Sequence, residues 1–244
     1  MTNLILVGPA GSGKTTLTKA LGEWMTKEGF SVSYLNLDPG TQFVPYSASF
    51  DVRELVTVQE LMEKEGLGSN GALIKASEII EEKMDLILKH IEGTASDFTI
   101  IDTPGQMELF LFRKLGPILA SGLKGRIASI FTIDPGLLQN HSDFAVLKLM
   151  GLVVELRLGV PSIEVINKTD LYGTKRFNEL EADFYAGKFS PAGLSEELAS
   201  RLCAAIETLG KRKRVIAVSG KKGTGMEDLY KSLGELFCSC GDLT

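Results

Sequence analysis

The chain has little of what marks secreted, membrane-spanning or nucleic-acid-coating proteins. Cysteine is scarce: Cys203, Cys238 and Cys240 are all there is in 244 residues. Three are too few for a disulfide framework and suit a reducing compartment. Cys238 and Cys240 are one residue apart and have no second pair, which argues against a zinc site. Histidine is scarcer still, and neither His90 nor His141 has sequence neighbours suggesting a nucleophilic triad or a metal cluster. A basic surplus is missing. The net charge of −5 argues against general binding to nucleic acid or anionic membranes. The short basic cluster Lys211-Arg212-Lys213-Arg214 reads as a solvated turn ahead of a strand. No apolar run reaches the length of a membrane span, and a core strand begins by Asn3-Leu4, leaving no room for a signal peptide. Internal repeats and low-complexity tracts are absent. These absences lead to the expectation of a cytoplasmic protein. With 44% hydrophobic residues, residues 1–244 suffice for one α/β domain.

What is present centres on residues 8–16, Gly8-Pro9-Ala10-Gly11-Ser12-Gly13-Lys14-Thr15-Thr16. They fit G-x-x-x-x-G-K-[ST], with the apolar run Leu4–Val7 before them and a helix-compatible run after. Strand, glycine-rich loop, helix is the context that phosphate-binding loop requires. The backbone N–H groups of Gly11, Ser12, Gly13 and the helix start at Thr16 would surround phosphate oxygens. Lys14 would reach the β- and γ-phosphates, and the Thr15 hydroxyl would ligate Mg²⁺.

Strand-like runs recur at 3–7, 32–37, 98–102, 127–133, 162–166 and 215–218. Most are continuously apolar, as in strands buried on both faces of a parallel sheet. Helical patterns lie between them, at 15–28, 74–91, 108–119, 143–158, 196–209 and 226–237. The alternation predicts a doubly wound, mainly parallel α/β sheet with helices on both faces. Ligands of such sheets bind at the carboxyl ends of the strands, and the polar motifs fall there. Asp38, in Asp38-Pro39-Gly40, follows the second strand and can face Mg²⁺ or an attacking water; the same tripeptide is also good turn chemistry. Asp102-Thr103-Pro104-Gly105-Gln106 follows the third. There Asp102 would hold Mg²⁺ through water, Gly105 would sense a γ-phosphate, and Gln106 would orient an attacking water. Asp134-Pro135-Gly136, after the fourth, reads as a turn. The long polar connection 41–57 suits a functional or mobile segment; its Arg53 is either a charge-stabilising finger or a surface ion-pair partner. Residues 66–71 read as a break containing an Asn70-Gly71 turn signal, inside a loop insertion over about 66–73, and 171–212 as a helical insertion on the sheet edge, broken at Lys188-Phe189-Ser190-Pro191.

The fifth strand ends in Asn167-Lys168-Thr169-Asp170. Asp170 can accept hydrogen bonds from the guanine N1–H and the exocyclic amine. Adenine lacks both donors, so a site built this way rejects ATP. The Lys168 stem would lie over the purine ring, and Asn167 would tie the loop to Gly8–Thr16. The backbone of Ser219-Gly220, after the last strand, would meet the guanine O6.

Together these motifs, with Asp51-Val52-Arg53, Met107-Glu108-Leu109-Phe110 and Gly68-Ser69-Asn70-Gly71-Ala72-Leu73-Ile74, resemble the GPN-loop GTPases over almost the whole length. These are P-loop proteins in the same broad class as the signal-recognition GTPases. The family carries Gly-Pro-Asn where this chain has Gly68-Ser69-Asn70. The resemblance implies a constitutive homodimer in which Asn70 reaches the partner's active site near the γ-phosphate. It implies a catalytic set of Asp38, Gln106 and Asn70 without an arginine finger, and Mg²⁺ held by Thr15, Asp38 and Asp102. It further implies hydrolysis of GTP to GDP and phosphate by an assembly or chaperone-like switch with a protein client such as RNA polymerase; the composition adds the expectation of no direct contact with nucleic acid or membrane. The alternative is a P-loop kinase acting on a small substrate, which would leave Asn167–Asp170 unexplained and usually needs an arginine-rich lid. A third reading is a scaffold that binds nucleotide structurally, against which Asp38 and Gln106 argue.

Overall fold

The computed structural model describes residues 1–188, 193–208 and 214–241. Phe189-Ser190-Pro191 and Lys211-Arg212-Lys213, noted above, lie outside them, as does the side chain of Cys240.

In chain order the elements are β1 (Thr2–Val7), α1 (Lys14–Lys27), β2 (Val32–Asn36), β3 (Phe50–Asp51), α2 (Val58–Glu65), α3 (Ser69–Glu82), α4 (Met84–Gly93), β4 (Phe98–Asp102), α5 (Met107–Phe112), α6 (Leu115–Gly122), β5 (Arg126–Ile133), α7 (His141–Leu158), β6 (Ser162–Ile166), α8 (Thr169–Tyr172), α9 (Lys175–Tyr185), α10 (Leu194–Thr208), β7 (Ile216–Ala217) and α11 (Met226–Gly241). The seven strands form one sheet in the order β3-β2-β4-β1-β5-β6-β7, and every pairing is parallel.

β1 shows why its sequence is apolar throughout. Leu4 and Leu6 join a core under α1 and α11, while Ile5 and Val7 join a core under the helices of the opposite face. A strand covered on both sides has no polar face to alternate with. The second core continues outward through α7 into α9 and α10, where Phe144 packs on Phe177 and Phe184 with ring centres 5.8 and 5.0 Å apart. Cys203 is buried there and its thiol donates to the Phe184 carbonyl at 3.2 Å. A buried ion pair, Lys148–Glu164, joins α7 to β6. Among the described residues no helix is long and apolar enough to cross a membrane.

Four local expectations are corrected. The 108–119 pattern is two helices, parted at Arg113, whose φ and ψ are −94° and −169°. Pro117 explains this: in a continuous helix its ring would strike the carbonyl of residue 113. The 74–91 pattern is also two helices, parted at Lys83. Its apolar stripe runs on through Ile80, Met84, Ile87 and Ile91, all buried, and nothing in the side-chain pattern marks the break. The stretch 66–73 is not one loop. Gly66 closes α2 with φ 65°, Gly68 caps α3, and Ser69 and Asn70 are already in the first turn of α3. The connection 41–57 likewise contains β3 and a short 3₁₀ turn, Val52–Glu54.

Ser69 is therefore the first helical residue. At that position the N–H has no intrahelical partner, and proline's fixed φ is already helical. Gly68, at φ −68° and ψ 162°, has the extended conformation that a following proline requires. Ser69→Pro is expected to stabilise the protein by roughly 0.4–1 kcal/mol through loss of unfolded-state entropy, measured by urea unfolding. A loss of stability would show that the first turn of α3 differs from this description.

Candidate active site

The phosphate-binding loop leaves the carboxyl end of β1, which lies between β4 and β5. Gly11 and Gly13 have φ of 77° and 89°, which turns the loop's N–H groups inward, and Gly13 caps α1. The buried Lys14 ammonium donates to the carbonyls of Gly8 and Pro9 at 2.8 and 3.2 Å. Burial lowers its pKa, while Asp102 and then Asp38 hold it up. The loop opens into a cavity of about 430 Å³ whose walls include Lys14, Thr15, Asp38, Gly105, Gln106 and Leu73. Gly11, Ser12 and Gly13 form the loop beneath it, and Thr16 is exposed one residue further on.

Asn167 links this loop to the two that follow β6 and β7. Its side-chain amide donates to the Ser12 and Gly13 carbonyls at 3.1 and 3.3 Å. Its carbonyl oxygen accepts from the Gly220 N–H at 2.9 Å. The approach is close enough that a Cβ on Gly13 would lie 2.5 Å from the Asn167 amide nitrogen. A Cβ on Gly220 would lie 3.0 Å from the backbone nitrogen of Leu17. Asp170 is half-buried and accepts from the Ser219 hydroxyl at 2.6 Å. That hydrogen bond is the main reason its pKa is lowered, so it is held as a carboxylate. Ser219 is buried, and its hydroxyl oxygen accepts in turn from the Lys222 N–H at 3.1 Å. The Lys168 ammonium pairs with Asp134 at 2.8 Å.

Two carboxylates face the phosphate side. Asp102 is fully buried; one oxygen accepts from the Tyr46 hydroxyl at 3.0 Å and the other has no hydrogen-bond partner. Burial pushes its pKa up to about 6, against the Thr15 and Tyr46 hydroxyls and Lys14, with Asp38 adding to the rise. Burial also raises Asp38, against the Gly40 N–H, Lys14 and the Gly105 N–H. Among the described residues no cluster of three or more His, Cys, Asp or Glu could cage a metal. Two carboxylates and the Thr15 hydroxyl fit an ion that prefers oxygen and takes its remaining ligands from water and phosphate, as Mg²⁺ does. The unpartnered, buried oxygen of Asp102 is the donor such an ion would satisfy.

The structure thus brings Lys14, Thr15, Asp38 and Gln106 to one cavity with Asp102 behind it, and gathers Asn167, Lys168, Asp170, Ser219 and Gly220 at its side. It does not bring Asn70 there. Asn70 is exposed, and the cavity is lined by Leu73, about one helical turn further on. Arg53 is taken up by Asp51, whose oxygens it meets at 2.6 to 3.1 Å, and by the Gln42 carbonyl at 3.2 Å. Two residues of the site had no marker in the sequence beyond their position. Tyr46 lies in the polar connection 41–57. Asp134 sits in an Asp-Pro-Gly identical to Asp38-Pro39-Gly40 and also at a strand end. In both tripeptides one carboxylate oxygen accepts from the glycine N–H at 2.9 Å.

Between its ordinary value of 3.8 and about 6, folded Asp102 holds a proton that the unfolded chain has released. Its contribution to stability therefore falls as pH rises through that window. Lowering the pH from about 8 to about 5 is expected to favour nucleotide-free wild type over Asp102→Asn by about 1–2 kcal/mol in urea unfolding. A difference independent of pH would show that Asp102 is ionised throughout.

Comparison with known proteins agrees with this geometry. Residues 6–239 match a family model described as a conserved hypothetical ATP binding protein. The GPN-loop GTPase PAB0955 of Pyrococcus abyssi is 36% identical over 250 aligned positions, covering 99% of both chains. GPN-loop GTPase 3 of Dictyostelium discoideum is 34% identical over 181 positions, 72% of this chain and 64% of that one. The crystal structure of PAB0955, described as a GTPase in apo form, superposes with a TM-score of 0.88 at 34% identity and covers 98% of each chain. With identity and structural likeness extending over almost the whole of both chains, this chain belongs to the GPN-loop GTPase family.

Proposed function

We propose that the chain binds GTP with Mg²⁺ and hydrolyses it to GDP and phosphate, as a homodimeric switch built from one P-loop domain. The observation that carries the guanine reading is Asp170, a carboxylate fixed by Ser219 and tied through Asn167 to the phosphate loop. A fixed acceptor beside the base leaves buried polar groups unpaired when adenine is bound, which discriminates strongly. Curated relatives named GTPases support the same base, although the matching family model is described as ATP binding.

In this reading Lys14 leaves the Gly8 and Pro9 carbonyls for the β- and γ-phosphates. Thr15, Asp38 and Asp102 hold Mg²⁺, which neutralises charge on the phosphate oxygens. Gln106 and Asp38 orient the attacking water, and the Gly105 N–H meets the γ-phosphate. Asn70 of the partner subunit completes the site. Its exposure and its place outside its own cavity wall support a role in trans. Apolar exposure beside the site supports a dimer interface: Phe43 is 73% exposed and Met62 40%, and a groove of about 1090 Å³ lies at Met62 and Arg53. Tyr46 gives the segment 41–57 a direct contact with Asp102, through which this segment and the one after Gly105 respond to the γ-phosphate. A protein client, an assembly role and a cytoplasmic setting follow from the family resemblance and the cysteine-poor composition. The kinase alternative is weakened because Arg53, the arginine beside the cavity, is engaged by Asp51.

The test is Mg²⁺-dependent turnover of GTP and ATP, with mass measured at the same concentration. Wild type is expected to be dimeric and to turn over GTP in preference to ATP, and Asp170→Ala to lose that preference. Asn70→Ala is expected to remain a dimer and lose about tenfold or more in kcat, about 1.4 kcal/mol of barrier. Mixing Asn70→Ala with Lys14→Ala should restore part of the activity, because a mixed dimer holds one intact site. Equal GTP and ATP affinity in wild type would overturn the guanine reading. Undiminished turnover by Asn70→Ala dimers would overturn the role in trans.

A further inference from the structure

Lys168 differs from its neighbours in two ways. Among the described residues it is the one non-glycine residue with positive φ, at 61°, a conformation that costs an L-residue on the order of 1–2 kcal/mol. Its side chain is also tethered at the far end. The ammonium donates to one oxygen of Asp134 at 2.8 Å, and the other oxygen of Asp134 accepts from the Gly136 N–H at 2.9 Å. The carboxylate is therefore fixed by its own turn before it meets the lysine. That turn is backed by α8: a Cβ on Gly136 would lie 2.7 Å from the Tyr172 hydroxyl. Between its two anchors the lysine stem passes the phosphate loop, with its Cε 3.9 Å from where a Gly13 Cβ would sit.

A free lysine loses about 2 kcal/mol of rotamer entropy when it is ordered. Here much of that ordering precedes the ligand. The ion pair is partly exposed, at 31% and 20% for the two side chains, so the attraction itself adds little stability. Its effect is geometric: it points the stem along one line, from the loop after β6 to the loop after β5.

We propose that Asp134 is a positioning residue for the purine base. It holds the Lys168 ammonium so that the methylene stem stands ready as an apolar wall beside Asp170. This rests on the guanine-nucleotide reading given above. Asp134 touches neither base nor phosphate, so it acts on affinity for purine nucleoside di- and triphosphates alike. Ligands without a base do not feel it. Preorganisation of this kind reduces the ordering cost of binding.

The experiment is calorimetric titration of the nucleotide-free full chain with GDP, a non-hydrolysable GTP analogue and inorganic pyrophosphate. Asp134→Asn keeps the acceptor for Gly136 and removes the charge. It is expected to raise the Kd of both guanine nucleotides together by about tenfold, equivalent to about 1.4 kcal/mol. Pyrophosphate affinity should not change. In steady state the loss should fall on KM, with kcat at saturating GTP moving by less than about twofold. Lys168→Met keeps the stem and removes the ammonium; in that background Asp134→Asn should have no further effect, since a coupled pair is not additive. Thermal unfolding of each variant controls for general loss of structure. Unchanged Kd in Asp134→Asn, an equal loss in the Lys168→Met background, or an equal loss of pyrophosphate binding would each overturn the proposal. Titrating wild type with ATP reports on the base separately. ATP affinity equal to that for GTP would overturn the guanine reading, while the Asp134 effect would still be read on both purine nucleotides.

Discussion

The side-chain amide of Asn167 is the contact on which the site depends. It is buried, and its three hydrogen bonds run to Ser12 and Gly13 on one side and to Gly220 on the other. The loops after β1, β6 and β7 are separate in sequence; Asp170–Ser219 joins the last two, and Asn167 reaches all three. A single planar amide, with donors at one end and an acceptor at the other, sets their spacing. The constraint propagates outward. Gly13 must be glycine because the amide nitrogen occupies the space a Cβ would need, and a Cβ on Gly220 would press on the backbone at the start of α1. Asp170, three residues on, then meets Ser219, which precedes Gly220. In the proposed function this makes phosphate and base recognition one unit, joined by a neutral amide.

Much of this was legible in the sequence. Parallel strands buried on both faces read as unbroken apolar runs, and the runs at 3–7, 98–102 and 162–166 fall on β1, β4 and β6. The loops at their carboxyl ends carry glycine, lysine, aspartate and asparagine in spacings dictated by phosphate and guanine chemistry, so they could be located before any coordinates. What was not legible depends on contacts across the sheet. Asp38-Pro39-Gly40 and Asp134-Pro135-Gly136 are the same tripeptide making the same turn at two strand ends. Only the three-dimensional arrangement shows that the first lines the cavity with Lys14 and Thr15 while the second pairs with Lys168. Tyr46 needs 56 residues of intervening chain to reach Asp102, and no local pattern encodes that. The break at Arg113 was available from Pro117; the break at Lys83 was not available from any residue.

The start of α3 shows where Ser69 stands in this chain: it is the first helical residue after the Gly68 cap. Proline and serine differ in the stiffness they give a free loop, which makes Ser69 look like a weakening of the motif. At the first position of a helix the difference shrinks. There the backbone is already held by the turn that follows, and the orphan N–H of serine can be met by water. The direction of Asn70 is set by Gly68 and by the helix, both present here. The substitution then changes the cost of ordering the segment more than it changes where Asn70 points.

The phosphate side is electrostatically unfinished by itself. Asp102 has an oxygen in the interior with no donor, Asp38 stands near enough to raise its pKa, and Lys14 spends its ammonium on its own loop's carbonyls. The buried carboxylate costs free energy, since burying an ionised carboxylate without a full set of partners is unfavourable. A protein selected only for stability would replace it. The three groups lie together at the one end of the sheet where the phosphate loop opens, where the proposed function places the phosphates and Mg²⁺. Burial and the Asp102 charge push the Tyr46 hydroxyl pKa upward, so it remains a donor. The same tension therefore reaches the segment 41–57, and a change in charge at Asp102 alters the one hydrogen bond from Tyr46 that ties this segment to the end of β4. The charge at Asp102 is thus also a mechanical connection, one that the switch proposed above would use.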